Sequence, residues 1–229
     1  MTPFHTHGIT AVLLAAVVMA ACSSGTRNTA QTPPQPAASS ASDLSAIAKA
    51  NADSARYPHT EADVHFMTRM IGHHAQAIAM ARWAPTHGAS ASVRTLAERI
   101  INGQEDEIGT MQRWLADRHQ PVPDARAGHM TMGAAGGGHE MPMPGMLTEA
   151  QMKQLDQARG AQFDRLFLTF MIQHHRGAVS MVKDLFSTYG AGQDQTVFKF
   201  ASDVKVDQST EIARMERMLV TLVLEGRLP

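Results

Sequence analysis

Apolar residues recur at steps of three and four along several long stretches of the chain. Val93, Leu96, Ala97, Ile100, Ile101, Ile108, Met111, Trp114 and Leu115 form one such stripe. That spacing marks an amphipathic helix with one buried face. On this pattern helix is predicted over about residues 61–84, 92–117, 148–188 and 193–224. Thr60 with Asp63, and Thr148 with Gln151, have the spacing of a capping box. Pro85 and Gly88 end the first helix, Pro121 and Pro123 the second, and Gly190 and Gly192 part the last two. Gly160 is a candidate break within the third, and residues 42–51 predict a further short helix. No segment alternates apolar and polar residues for long enough to predict a sheet.

The pattern repeats. MIGHHAQAIAM at 70–80 returns as MIQHHRGAVSM at 171–181. Upstream, Asp63, Phe66 and Met70 answer to Asp164, Phe167 and Met171; downstream, Gln104, Glu107, Ile108 and Met111 answer to Gln208, Glu211, Ile212 and Met215. These are two copies of one helix–turn–helix unit. Each hairpin alone exposes an apolar face, so the two are expected to pair. The predicted fold is all-α: a four-helix bundle of ferritin-like connectivity, with a long crossing connection between its second and third helices. The two histidine-bearing helices would then be equivalent about a pseudo-two-fold axis.

The start of the chain changes the picture of where this domain works. Residues 9–21 form an apolar run of signal-peptide length, and Met19-Ala20-Ala21-Cys22 resembles a bacterial lipobox. Residues 1–21 are read as a leader and Cys22 as the acylated residue of an exported lipoprotein, periplasmic or on the cell surface and anchored to a membrane. Residues 22–59, rich in Ser, Thr, Pro, Gln and Ala, read as a flexible tether. The ferritin-like domain spans 60–224, with a Met/His-rich linker at 119–147 expected to stay mobile. Cys22 is the only cysteine, so the domain has neither a disulfide nor a thiolate metal site. The formal net charge is −1 over 229 residues, which gives no electrostatic case for binding nucleic acid. Nothing in the pattern decides between a monomer and a homodimer.

The candidate chemistry lies in the repeated histidine pairs. Neighbouring helix positions point ~100° apart, whereas Met70 and His74, like Met171 and His175, share a face. One histidine of each pair is therefore expected inside the bundle and the other at a groove or the rim. Taken singly, a histidine on an apolar face is more often a hydrogen-bonded core residue, and a methionine stripe is core filler. The doublet, repeated with the same flanks, favours metal binding, since packing alone would accept Leu or Phe without burying ring nitrogens. Glu107 and Glu211 are candidates to accept an imidazole N–H and fix its tautomer. Gln104, Gln208, Met111 and Met215 are further candidates beside them. Imidazole with thioether and no thiolate points to copper, Cu(I) before Cu(II). His129, Met130, Met132, His139, Met141, Met143 and Met146 in the linker form open clusters suited to Cu(I) or Ag(I). A di-iron Glu-x-x-His motif is missing, His139-Glu140 lacks the second histidine of a zincin, and no phosphate loop or nucleotide fingerprint occurs. No organic cofactor and no enzymatic turnover are expected.

The doubled Met-Ile-x-His-His-x-x-Ala-Ile/Val-x-Met, the Met-Pro-Gly-Met at 143–146 and the Gly160, Phe163, Asp164, Phe167 lead-in resemble the domain of unknown function 305 family. The resemblance covers about residues 61–219. It implies an exported, ferritin-like four-helix protein, in some members copper-binding. It implies His73, His74, His174 and His175 with Met70, Met80, Met171 and Met181 as the ligand set. The expected function is sequestration or transfer of copper to a partner protein, in aid of metal tolerance. The alternatives are a ferritin-like metal-dependent oxidoreductase and a structural interaction module without metal. Because imidazole ligates only when neutral, a histidine site is expected to weaken below about pH 6.5.

Overall fold

The computed structural model describes Ser45, residues 59–125 and residues 143–226, with Glu225 by its backbone alone. The chain separates into Met1–Ser40 and Ala41–Pro229, and every described residue belongs to the second unit. The expected leader, Cys22 and the linker residues His129, Met130, Met132, His139 and Met141 lie outside the described residues. So does the expected tether, apart from Ser45 and His59. Of the short helix expected at 42–51 only Ser45 is described, and it is helical.

Among the described residues the fold is all-α. It has five helices: α1 Glu61–Arg82, α2 Ala91–Asp117, α3 Glu149–Gln157, α4 Gly160–Ser187 and α5 Gln195–Glu225. Both predicted capping boxes are present, at Thr60/Asp63 and Thr148/Gln151. Ser90 caps α2 and Asp194 caps α5, each satisfying backbone N–H groups that the first helical turn leaves unpaired. Such caps are worth about 1 kcal/mol each.

The helix expected over 148–188 is divided into α3 and α4 at its candidate break, Gly160. Ala158 and Arg159 are extended, and Gly160 takes φ +56°. The cause is tertiary. The Gly160 N–H donates to the His87 carbonyl at 2.9 Å, and the buried His87 ring donates back to the Asp156 carbonyl at 2.8 Å. The α1–α2 turn thus holds the break open, which periodicity along α3 and α4 cannot reveal.

α1 and α2 pack along each other, as do α4 and α5; α1 packs on α4, and α3 rests on α4. Two buried carboxylates brace this arrangement reciprocally. Asp63 on α1 accepts the Gly192 N–H from the α4–α5 turn at 2.7 Å. Asp164 on α4 accepts the Ser90 N–H at the start of α2, both oxygens at 3.2 Å. Each helix of the central pair therefore holds the turn of the opposite hairpin. Asp194 joins α2 to α5 by accepting from Trp114 Nε1 at 3.1 Å and Arg118 at 2.6 Å.

The linker expected over 119–147 loses its end to the folded unit. Residues 143–147 lie across α1 and α4 as a strap, with Leu147 buried. Gln76 on α1 clamps Leu147 at both backbone groups, donating to its carbonyl at 3.0 Å and accepting its N–H at 2.8 Å.

The Asp164 brace predicts a graded stability response. Replacing Asp164 by Ala leaves the half-buried Ser90 N–H unpaired and should cost about 1–3 kcal/mol in urea unfolding. Replacing Glu105, whose pair with Arg82 is solvent-exposed, should change stability by less than about 1 kcal/mol. Equal effects would mean that the brace is not what holds the turn.

Candidate metal centre

All four repeated histidines are completely buried: His73 and His74 on α1, His174 and His175 on α4. None reaches a groove or the rim, contrary to the expectation for adjacent helix positions. The reason is that α1 is covered on more than one side. His74 faces its own hairpin partner α2, while His73 faces α4 and lies under the strap.

These imidazoles form a polar layer that divides the apolar core. Phe66, Met70, Ile71, Met111, Met181 and Val204 belong to one cluster. Met80, Ala81, Leu96, Phe167, Met171 and Met215 belong to the other. On α1 and α4 the histidines stand between the two clusters, with Ile78 alone crossing over on α1. The candidate thioethers are therefore split: Met70, Met111 and Met181 on one side of the layer, Met80, Met171 and Met215 on the other. All six are buried.

The hydrogen bonds assign the tautomers. His74 Nε2 lies 2.6 Å from Glu107 Oε2 and His175 Nε2 lies 2.7 Å from Glu211 Oε2. His73 Nε2 lies 3.0 Å from the Pro144 carbonyl. Carbonyls and carboxylates only accept, so in each pair the ring N–H donates. Each of these three rings therefore carries a proton on Nε2, and on His73, which burial keeps neutral, Nδ1 holds a lone pair. All three Nδ1 atoms are buried with no partner among the described residues. Neither ring nitrogen of His174 has a partner of good hydrogen-bond geometry among the described residues, although a weaker backbone contact with His73 acts on the ring. Its ring lies against His73, centroids 3.8 Å apart, so the pair spans the α1–α4 contact.

Gln104 and Gln208 are also buried, and neither side-chain amide atom of either residue has a partner among the described residues. Each stands one turn before the glutamate that holds a histidine. Glu107 and Glu211 themselves are about one-fifth exposed, at 22% and 21%, so they link the layer to solvent. Asp207 lies near them, and its carboxyl is raised above its ordinary value by burial and by Glu107, Asp203 and Glu211.

Burial pushes the His73 pKa down to about 3, with His74 and His175 adding to the shift and the Pro144 hydrogen bond opposing it. Burial, followed by His73, His175 and His74, holds His174 well below its ordinary value. Both rings stay neutral far below pH 6.5, so the expected acid weakening of a histidine site moves to lower pH at this pair.

A buried, neutral imidazole with its N–H fixed and its second nitrogen free is a metal donor in waiting, and an acceptor behind the ring raises its basicity. The donor set fits a soft cation on this count. No three His, Cys, Asp or Glu side chains among the described residues are arranged as a ready cation cage. Of the linker candidates, Met143 and Met146 are partly buried in the strap. The strap itself went unnoticed in the sequence. A usable signal was Gly177, a glycine inside a helix, which costs about 1 kcal/mol unless packing requires it.

A family model described as Domain of unknown function (DUF305) matches residues 63–219. Among solved structures, a DUF305 protein from Streptomyces coelicolor, proposed to be secreted, is 31% identical, with TM-score 0.57 over 70% of this chain and 93% of that one. A DUF305 fragment from Deinococcus radiodurans is 30% identical, with TM-score 0.58 over 75% and 99%. CopM in its Cu(II)-bound form is 31% identical, with TM-score 0.54 over 69% and 96%. CopM has also been solved in Cu(I)-bound and silver-bound forms. No curated protein matches the chain.

The depressed pKa values predict how acid acts on the metal-free protein. Unfolded histidine titrates near 6.5, so between that pH and about 3 the unfolded chain binds protons that folded His73 does not. Stability is full above pH ~6.5 and falls as pH falls, by about 1.4 kcal/mol per pH unit for each such histidine. Urea midpoints measured from about pH 7 to 5 should decline, and His73→Leu with His174→Leu should flatten that decline. An unchanged slope in the double variant would contradict the assignment.

Proposed function

The chain belongs to the DUF305 family, and from that membership we propose that it is an exported copper-binding protein that sequesters Cu(I) or hands it on. The observation that carries this reading is the imidazole layer, with three rings donating from Nε2 and their Nδ1 atoms buried and without a partner among the described residues. His73, His74, His174 and His175 would hold the ion, with thioethers from Met70, Met80, Met171 and Met181 as the soft donors beside them. Copper is favoured because that donor set has imidazole and thioether but no thiolate. The copper- and silver-bound forms of CopM support the same cations.

We read the paired hairpins as a ferritin-like four-helix bundle, on the sequence repeat and on the packing of α1 against α4. The apolar run at 9–21 and Cys22 support export and a lipid anchor. Among the described residues no helix is long and apolar enough to cross a membrane. The reading is binding without turnover. Its rival is a metal-dependent oxidoreductase, for which dioxygen consumption by the copper-loaded protein would be the sign.

Stability and binding should part company at this site. His73→Leu with His174→Leu removes buried, unpartnered nitrogens and should leave the metal-free protein as stable as wild type, or more stable by about 1–3 kcal/mol. In competition against a Cu(I) chelator the same variant should lose most of its affinity. Undiminished competition would remove these imidazoles from the metal site. Marked destabilisation of the metal-free form would make them structural.

A further inference from the structure

The two copies of the repeated motif are not treated alike among the described residues. There the strap at 143–147 occurs once, and it meets both copies where their residues differ. Gln76 of the first copy stands where the second has Gly177, and Gly72 stands where the second has Gln173. All four positions meet the strap. Gln76 clamps Leu147, and Gln173 donates to the Gly145 carbonyl at 3.3 Å. A Cβ on Gly72 would lie 3.7 Å from the Met143 methyl group.

Gly177 is the closest contact. A Cβ there would lie 2.0 Å from the Pro144 carbonyl oxygen and 2.6 Å from the Gly145 Cα. Gly145, at φ +75°, has its own Cβ direction blocked at 2.6 Å by the Gln173 carbonyl. Strap and α4 therefore meet backbone to backbone, a contact that only glycine at both positions allows. Its consequence is the placement of one atom, the Pro144 oxygen that accepts from His73 Nε2. His174, the equivalent residue of the second copy, receives no such partner among the described residues.

We propose that the strap is the positioning element of the centre: seated on Gly177 and clamped by Gln76, it holds His73 as the Nε2–H tautomer and so presents its Nδ1 lone pair beside the His174 ring. Gly177 and Gln76 are positioning residues that act through Pro144. This deepens the copper reading and rests on it for the ion, but the tautomer is a property of the metal-free protein.

The test uses nitrogen-15 NMR of the His73 ring in the metal-free chain, together with Cu(I) competition. Wild type and Gly103→Ala, a helix site with nothing within 4 Å of the added Cβ, should both show His73 only as Nε2–H. Gly177→Ala should mix the tautomers and weaken Cu(I) binding by about 10- to 100-fold, the cost of losing an outer hydrogen bond to a ligand. If its helical circular dichroism shows that this variant fails to fold, Gln76→Leu is expected to give the same two changes. A wild-type His73 protonated on Nδ1 overturns the proposal, and so does a Gly177→Ala or Gln76→Leu variant that keeps both tautomer and affinity. Failure of wild type itself to compete for Cu(I) overturns the copper reading, while the tautomer result stands on its own shifts.

Discussion

The structure turns on a single cost: four imidazoles are shut inside an apolar interior with too few hydrogen-bond partners. Each unpartnered buried polar atom is destabilising by about 1–3 kcal/mol, and nine atoms without a partner among the described residues lie on these histidines and their two neighbouring glutamines. Leucine at these positions would pack without that cost. The sequence repeats the arrangement in both halves. A fold that accepts the same loss twice has it for a reason other than stability, and a buried lone pair on a neutral ring is most valuable to a cation.

The rest of the fold holds that layer in place. The apolar core lies in two clusters on either side of it, so the imidazoles are enclosed without being surrounded by their own kind of group. His74 and His175 each tie a helix to its hairpin partner through a glutamate. His73 and His174 meet where one hairpin packs on the other. Asp63 and Asp164 fix the depth of that meeting by gripping opposite turns. The strap then marks out one side of a near-symmetric centre. Hollows lined in part by Pro144 lie on both flanks of it. A shell of this kind fixes ring orientation while the nitrogens stay free.

Much of this was legible in the chain. The spacing of apolar residues located the long helices, and the doubled motif located the histidines and their glutamates. Thr60, Asp63, Thr148 and Gln151 announced two helix starts, because capping is local chemistry between residues three apart. What the sequence did not carry was long-range. The candidate break at Gly160 is present, but its cause, the His87 carbonyl and ring, comes from another helix pair. The burial of both members of each histidine doublet depends on helices and a strap that cover α1 from different directions. Asp164 looked like part of a motif, yet its role is to hold Ser90, far away in sequence. The strap lay inside a linker read as mobile, whose Met-Pro-Gly-Met stood out as a motif and a candidate soft-metal cluster but not as a packed segment. Only Gly177 hinted at a backbone pressed against a helix.

The most direct measurement is copper K-edge X-ray absorption on the protein loaded with less than one equivalent of Cu(I). Imidazole nitrogens in the first shell, with the multiple scattering of a histidine ring, are predicted, and sulfur alongside them would come from the flanking methionines. A shell of sulfur alone would place the copper elsewhere and leave the buried histidines without a ligand role.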